Sequence, residues 1–407
     1  MTRSIWLDDN RDESKPQSPR RLDVVIVGGG LIGASLAYLL SLKGDLTVLL
    51  LESGQIAGAS SGRNAGFVLR GIQTYYNACV RKFGRENANY IYRFVEENQS
   101  MLRDFVQNKV HGDVELDEIG SYILATSIEE LEELAESAQL LDEDGFSVDF
   151  LKEDPLDRDY YGALFNPLDF GINPVALVKA LLSASGVETL PEEHVLRITR
   201  DRNDGPLLVH AVGGSYECDR VLLATNAYSA LVDSWFRDKF HIARGQILVT
   251  EPLAKEVVSR LCYANYGWVY FRQLKDRRFL LGGRRQLFIN EEIGYADMIT
   301  PSVQAALEEY LKDYFPDVVG ARIDYRFSGL MAFTNDGLPI VGEHEHMPGL
   351  YFALAFNGHG LGYGMRMARQ LIELAFDGVS PGIFDVQREG LINANPSGSG
   401  PVEQEGP

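Results

Sequence analysis

From Val24 to Leu42 the chain reads VVIVGGGLIGASLAYLLSL without a charged residue. A run of ~20 apolar residues is long enough to cross a bilayer, but this one divides internally. DVVIVG at 23–28 is a short β-branched run with no alternation, the pattern of a strand buried on both faces of a parallel sheet. Three glycines break it. From Leu31 the apolar residues Ile32, Leu36, Leu39 and Leu40 recur at helical spacing, with Gly44 as a stop beyond Lys43. LTVLLLE at 46–52 is a second strand, ending in an acid. Further along, the pattern predicts helices over 85–106 and 127–145, the second capped by Ser127 with acids in its first turn. The acid-rich face of that second helix reads as solvated. VLRIT from Val195 and VLLATNA from Val221 read as strands. An apolar helix through Met365, Ala368, Leu371, Ile372 and Ala375 stops at Gly378. Tyr263, Tyr266, Trp268, Tyr270 and Phe271 form an aromatic cluster whose alternation suggests one face of a sheet. No internal repeat is visible.

At 407 residues the chain can form two lobes, and 45% hydrophobic with 24% charged residues is the composition of a globular protein. Lys and Arg total 38 against 58 Asp and Glu, a net charge of -20 that repels phosphate backbones and anionic lipid. Nucleic acid is therefore not an expected partner. Cys79, Cys218 and Cys262 lie far apart without metal-site spacing, which fits a reducing compartment. The first residues, MTRSIWLDDNRDESKPQSPRR, contain no apolar signal core, so a cytoplasmic protein is expected, with loose tails at 1–20 and 391–407. His344 and His346 sit in an apparent surface turn, and no metal is expected there.

Within the first unit Gly28, Gly30 and Gly33 match the GxGxxG dinucleotide fingerprint, in register with a strand, a helix and a terminal acid. The first glycine permits the turn, the second admits a pyrophosphate, and the third lets helix and strand pack. Leu31 and Ile32 open the helix whose N-terminus faces the phosphates. Glu52, followed by Ser53, is placed for the adenosine ribose hydroxyls. The loop SGQIAGASSGRNAGFVLRG then offers backbone to a large flat ligand. Gly58-Ala59-Ser60-Ser61-Gly62 also fits the nucleophile elbow GxSxG, but QIA is a poor strand and NAGFV a poor helix start.

These motifs, in this order, resemble the FAD-dependent D-amino acid oxidase and glycine/sarcosine oxidase superfamily over roughly residues 21–380. GASSGRNAG is similar to the loop under the flavin in the branch containing γ-glutamylputrescine oxidases. GINPVALVKALL (171–182), ECDRVLLATNAYS (217–229), RGQILVTEP (244–252), FTNDGLPIVG (333–342) and FNGHGLGYG (356–364) are similar to later family segments. The resemblance implies an α/β fold of glutathione-reductase type. A Rossmann-type FAD-binding domain (21–86, 151–238, 326–382) would carry an α+β substrate domain on an antiparallel sheet (87–150, 239–325). It also implies non-covalent FAD, since no cysteine follows Cys262. The implied cofactor contacts are Ala59, Ser60, Ser61, Arg63, Asn64, Ala65 and Gly66 of the loop. The Val195 backbone would meet the adenine. Ala224, Thr225, Asn226, Gly329, Gly358, His359, Gly360, Leu361 and Gly362 complete the set. Val195 taken alone is equally an ordinary strand residue, and Asn335-Asp336-Gly337 equally a hairpin turn.

The implied activity is oxidation of the CH–NH bond of a small amine or amino acid derivative by hydride transfer to flavin N5, giving an imine and hydrogen peroxide. The helix after FNGHGLGYG would stabilise the charge that develops near flavin N1. His359, Arg284 and Tyr270 are the expected catalytic side chains. Two basic residues that hold α-carboxylates in relatives are replaced here by Met331 and Gly362, leaving Arg70, Arg272 and Arg284 as substitutes. Leu280 stands where sarcosine-type oxidases place a lysine for reaction with oxygen. A dehydrogenase feeding a quinone or carrier, a tRNA-trimming flavin domain (opposed by the charge) and a non-catalytic redox-sensing module are the alternatives.

Overall fold

The computed structural model describes residues 20–110, 112–200 and 205–391. The expected tails lie outside these residues except at their inner edges. Arg20 already begins the first strand, and Leu391 is fully buried rather than loose.

The strand Arg20–Val27 is the centre of an eight-stranded sheet. It pairs in parallel with Val48–Leu51 on one side and Ser215–Leu223 on the other, and Val24 to Val27 are buried as their unbroken β-branched pattern requires. Glu188–Leu190 and Leu350–Leu354 extend the parallel set outward, and Ile340–Glu343 closes one edge antiparallel. Val195–Arg200 and Leu207–Ala211 form an antiparallel arm on Ser215–Leu223.

The apolar run after the glycines is the helix Leu31–Ser41, buried along most of its length. At 11 residues it is far too short to span a bilayer. Among the described residues no helix is long and apolar enough to cross a membrane. Pro174–Ser185 and Gly360–Asp377 pack on either flank of it, the latter ending at Gly378 in the left-handed conformation.

A second eight-stranded sheet has the order Ile323–Phe333, His241–Pro252, Arg278–Gly283, Val269–Gln273, Leu261–Ala264, Ser121–Ala125, Gly162–Asn166, Asp149–Leu151. It is antiparallel apart from the parallel pair Leu261–Ala264 with Ser121–Ala125. The strand Gly162–Asn166 falls in the range expected for the cofactor domain, yet its partners belong to this sheet. The helix Pro301–Tyr314 covers one face through Val303, Leu307 and Tyr310.

Two local expectations are corrected. Asn335-Asp336-Gly337 is not a hairpin turn, because Ile323–Phe333 and Ile340–Glu343 belong to different sheets and the turn carries the chain between them. The helix Ile128–Glu143 is capped by Ser127 as its sequence indicates, but its acidic face is not wholly solvated. Glu130 is fully buried and accepts hydrogen bonds from the Tyr75 hydroxyl, the Tyr266 amide and Thr126.

Candidate active site

A cavity of about 1800 Å3 is lined by residues of both sheets. Pockets for drug-sized ligands run roughly 300–1,000 Å3, so this one has room for an extended dinucleotide and a substrate together.

At its base lies the glycine turn. Gly28 has φ +112°, and a side chain there would reach to 2.7 Å from the Ala224 carbonyl. Gly33 does not face the cavity: its missing side chain would lie 1.8 Å from the Gly28 carbonyl, so it serves the close packing of helix on strand. Gly66 is likewise turned away, against the Ile172 carbonyl. Gly30, Leu31 and Ile32 do line the cavity, and no side chain of the N-cap residue closes the helix start. That leaves a partly positive helix end facing the space, as a diphosphate requires. The Glu52 carboxylate is aimed by the Gly29 amide at 2.6 Å and the Gly54 amide at 2.8 Å, with Ser53 beside it.

The loop after Glu52 is folded by its own side chains. Asn64 donates to the Ser60 and Ser61 carbonyls and accepts from the Gly66 amide. Ser60 donates to the Leu330 carbonyl, Ser61 accepts from the Leu31 amide, and Arg63 pairs with Asp297. Ala59 and Ala65 complete this wall, and Gly329 comes within contact of the Arg63 backbone. Val195, Ala224, Thr225 and Asn226 also line the cavity, with Asn226 accepting from the Ala355 amide.

Gly358 to Gly362 bring a second helix N-terminus to the cavity, again without a side-chain cap or an acid in its first turn. His359 Nδ1 lies 3.0 Å from the Asn357 carbonyl. A carbonyl only accepts, so Nδ1 carries the proton and Nε2 is left as an acceptor. Burial pushes the His359 pKa below its ordinary value, which keeps the ring neutral.

The wall opposite is aromatic. Tyr263 and Tyr270 are cross-strand partners facing the cavity, while Phe271 points into the core on the far side of the sheet. Burial raises the Tyr270 hydroxyl to about 12, so it remains a donor.

The arginine expectations fare unevenly. Arg284 does not line the cavity; its guanidinium turns toward Glu309 at 3.8 Å. Arg70 lines it but is spent on Glu96, Asn166 and the Ser147 carbonyl, and Arg272 is buried on Asp117 and the Gly66 carbonyl. The neighbour Arg285, which the sequence did not single out, faces the cavity instead. Gly283 at φ +113° and Arg284 at φ +62° break the strand alternation that would have signalled it. Leu280, at the position of the expected oxygen-activating lysine, is buried in a small cluster with Ile247 and Val249 that packs against Ala65 and Tyr270.

A family model described as FAD dependent oxidoreductase matches residues 23–374. The chain belongs to that family. It is 24% identical over 367 residues to the γ-glutamylputrescine oxidoreductase of Escherichia coli (strain K12), covering 86% of this chain and 83% of that one. It is 27% identical over 404 residues to the 4-methylaminobutanoate oxidase (formaldehyde-forming) of Paenarthrobacter nicotinovorans, 91% of this chain but only 46% of that longer one. Among solved structures, glycine oxidase from Geobacillus kaustophilus superposes with a TM-score of 0.75 at 20% identity, over 90% of this chain and 97% of the other. The cofactor of this oxidoreductase is FAD, and the residues present fit it. Two helix N-termini, the first with only its Leu31 amide taken by Ser61, a glycine-walled floor and an oriented carboxylate suit phosphates, a flat ring and a ribose. None of Cys79, Cys218 and Cys262 lines the cavity, and all three are buried elsewhere, in keeping with a non-covalent flavin.

Proposed function

We propose that this oxidoreductase acts on the CH–NH bond of a small amine or amino acid derivative, converting it to an imine that water hydrolyses, with the electrons passing on to oxygen as hydrogen peroxide. When bound, FAD supplies the hydride acceptor, flavin N5. The observation that carries the reading is the state of the polar groups around the remaining space. His359 is neutral with Nε2 as an acceptor, and Tyr270 is a protonated donor among aromatic walls. A neutral amine, the form that oxidation needs, fits such a site, its lone pair accepting from the Tyr270 hydroxyl and its N–H donated to Nε2. The helix start at Gly360 presents amide groups to negative charge that develops beside it. Relatives named for oxidising an amine and a methylamino acid support the substrate class.

A second reading, a dehydrogenase that delivers electrons to a quinone or carrier, is favoured by Leu280. That position offers no cation, and Lys82 is the one lysine lining the cavity among the described residues. Turnover of putrescine and N-methylated amines would be followed with oxygen and then with a quinone as acceptor. Peroxide formed in step with amine loss is the expected result. Turnover that needs the quinone would move the protein to the dehydrogenase class.

A further inference from the structure

Three arginines line the cavity, and two are committed. Arg63 is paired with Asp297 and Arg70 with Glu96. Arg285 has no hydrogen-bond or ion-pair partner among the described residues, although it is only partly exposed and its surroundings are largely apolar. Its guanidinium carbon lies 4.5 Å from the centre of the Trp268 ring and 4.6 Å from that of Phe333. Stacking uses the face of a guanidinium and leaves the N–H donors on its edges free, in the fork geometry that matches a carboxylate.

The neighbouring groups do not neutralise it. Glu292, the nearest acid in electrostatic terms, is buried on Arg244, Gln246 and Thr300. His241, stacked on Phe333, has its pKa lowered by burial and by Arg285 itself. Tyr270 remains a neutral phenol. Burial brings Arg285 down to about 10, which still leaves it fully charged at neutral pH. A desolvated cation of this kind is costly unless an anion completes it.

Resting on the amine-oxidation reading above, we propose that Arg285 anchors a carboxylate of the substrate, which makes that substrate an amino carboxylate. The position also sets where the carboxylate sits. Met331 and Phe333 face the cavity from one side of the strand Ile323–Phe333, a two-residue step of roughly 7 Å. Met331 is the residue that meets the glycine loop, its sulfur 3.5 Å from where a side chain on Gly358 would begin. The guanidinium lies over the ring of Phe333, one step along the strand from Met331, and we place the carboxylate there, on a chain and not on the carbon that is oxidised.

The test is titration of the FAD-loaded protein with 4-aminobutanoate, 2-aminobutanoate and butylamine, followed by perturbation of the flavin spectrum. The wild type is expected to bind 4-aminobutanoate most tightly of the three. Arg285→Gln should weaken that binding by about ten-fold or more, the loss of charge-assisted hydrogen bonds, leave butylamine unchanged, and be partly rescued in Arg285→Lys. Equal binding of 4-aminobutanoate to wild type and R285Q, or an equal loss for butylamine, would overturn the anchor. Tighter, Arg285-dependent binding of 2-aminobutanoate would overturn the placement. If Arg285-dependent binding is found but no amine reduces the flavin, the oxidation reading fails and the anchor stands; reduction without Arg285 dependence is the reverse.

Discussion

Replacing Gly33 with alanine tests the cofactor turn at its tightest point. A methyl group there would lie 1.8 Å from the Gly28 carbonyl oxygen, whereas such contacts are essentially never closer than 3.0 Å. The helix Leu31–Ser41 and the turn before it must therefore part by about 1.2 Å, the difference between the two. Neither is free to do so, since Val24 to Val27 and most of the helix are buried. Overpacking of this kind costs ~1–3 kcal/mol. The same displacement moves the helix end away from the diphosphate, where each hydrogen bond to a charged group contributes ~1.5–3 kcal/mol. G33A should thus melt at a lower temperature and bind FAD at least about ten-fold more weakly. The assay is quenching of flavin fluorescence as apoprotein is titrated, with thermal unfolding of the same samples. Gly54→Ala is the control, because it also lines the cavity but its new methyl meets nothing closer than Glu52 Oε1 at 3.8 Å. Wild-type affinity and melting in G33A, or equal losses in G54A, would refute the reasoning.

Three further outcomes are expected. Glu130→Ala leaves the Tyr266 amide and the Tyr75 hydroxyl without their acceptor; at ~1–3 kcal/mol for each buried unsatisfied group, urea unfolding should show a loss of about 3 kcal/mol. Arg244→Met strands Glu292 at 1% exposure beside an apolar side chain, and removal of one partner of a buried pair should cost ~3–5 kcal/mol in the same experiment. His241, His344 and His359 all have folded-state pKa values below their ordinary 6.5, in each case chiefly through burial. The unfolded chain therefore binds their protons first, so stability is full above pH 6.5 and falls as the pH drops below it. Melting temperatures measured from pH 8 to about 5.5 should decline only on the acid side, and His359→Gln should flatten part of the slope.

What was legible in the sequence was local. The glycine spacing, the unbroken strand and the acid at Glu52 lie within one short stretch, and each has a geometric reason that does not depend on the rest of the chain. The helix start at Ser127 was readable on the same grounds, whereas the last helix, expected only after Gly364, already begins at Gly360. What escaped depends on distant partners. Gly162–Asn166 looks like any short strand, and its sheet is decided by pairing with Ser121–Ala125. Glu130 sits in an acid-rich helix and is buried only because Tyr75 and Tyr266 reach it from two other segments. The choice between Arg284 and Arg285 turns on two residues at positive φ, which alternation cannot register when one of them is an arginine.

The central claim, that the cavity oxidises an amine at its bound flavin, is tested most directly without oxygen. FAD-loaded protein would be mixed anaerobically with putrescine, 4-(methylamino)butanoate and the matching alcohols while the visible flavin bands are recorded, with dithionite added last. Bleaching by an amine at a catalytic rate, and by none of the alcohols, is the predicted result. A flavin that dithionite reduces but no amine does would contradict the account.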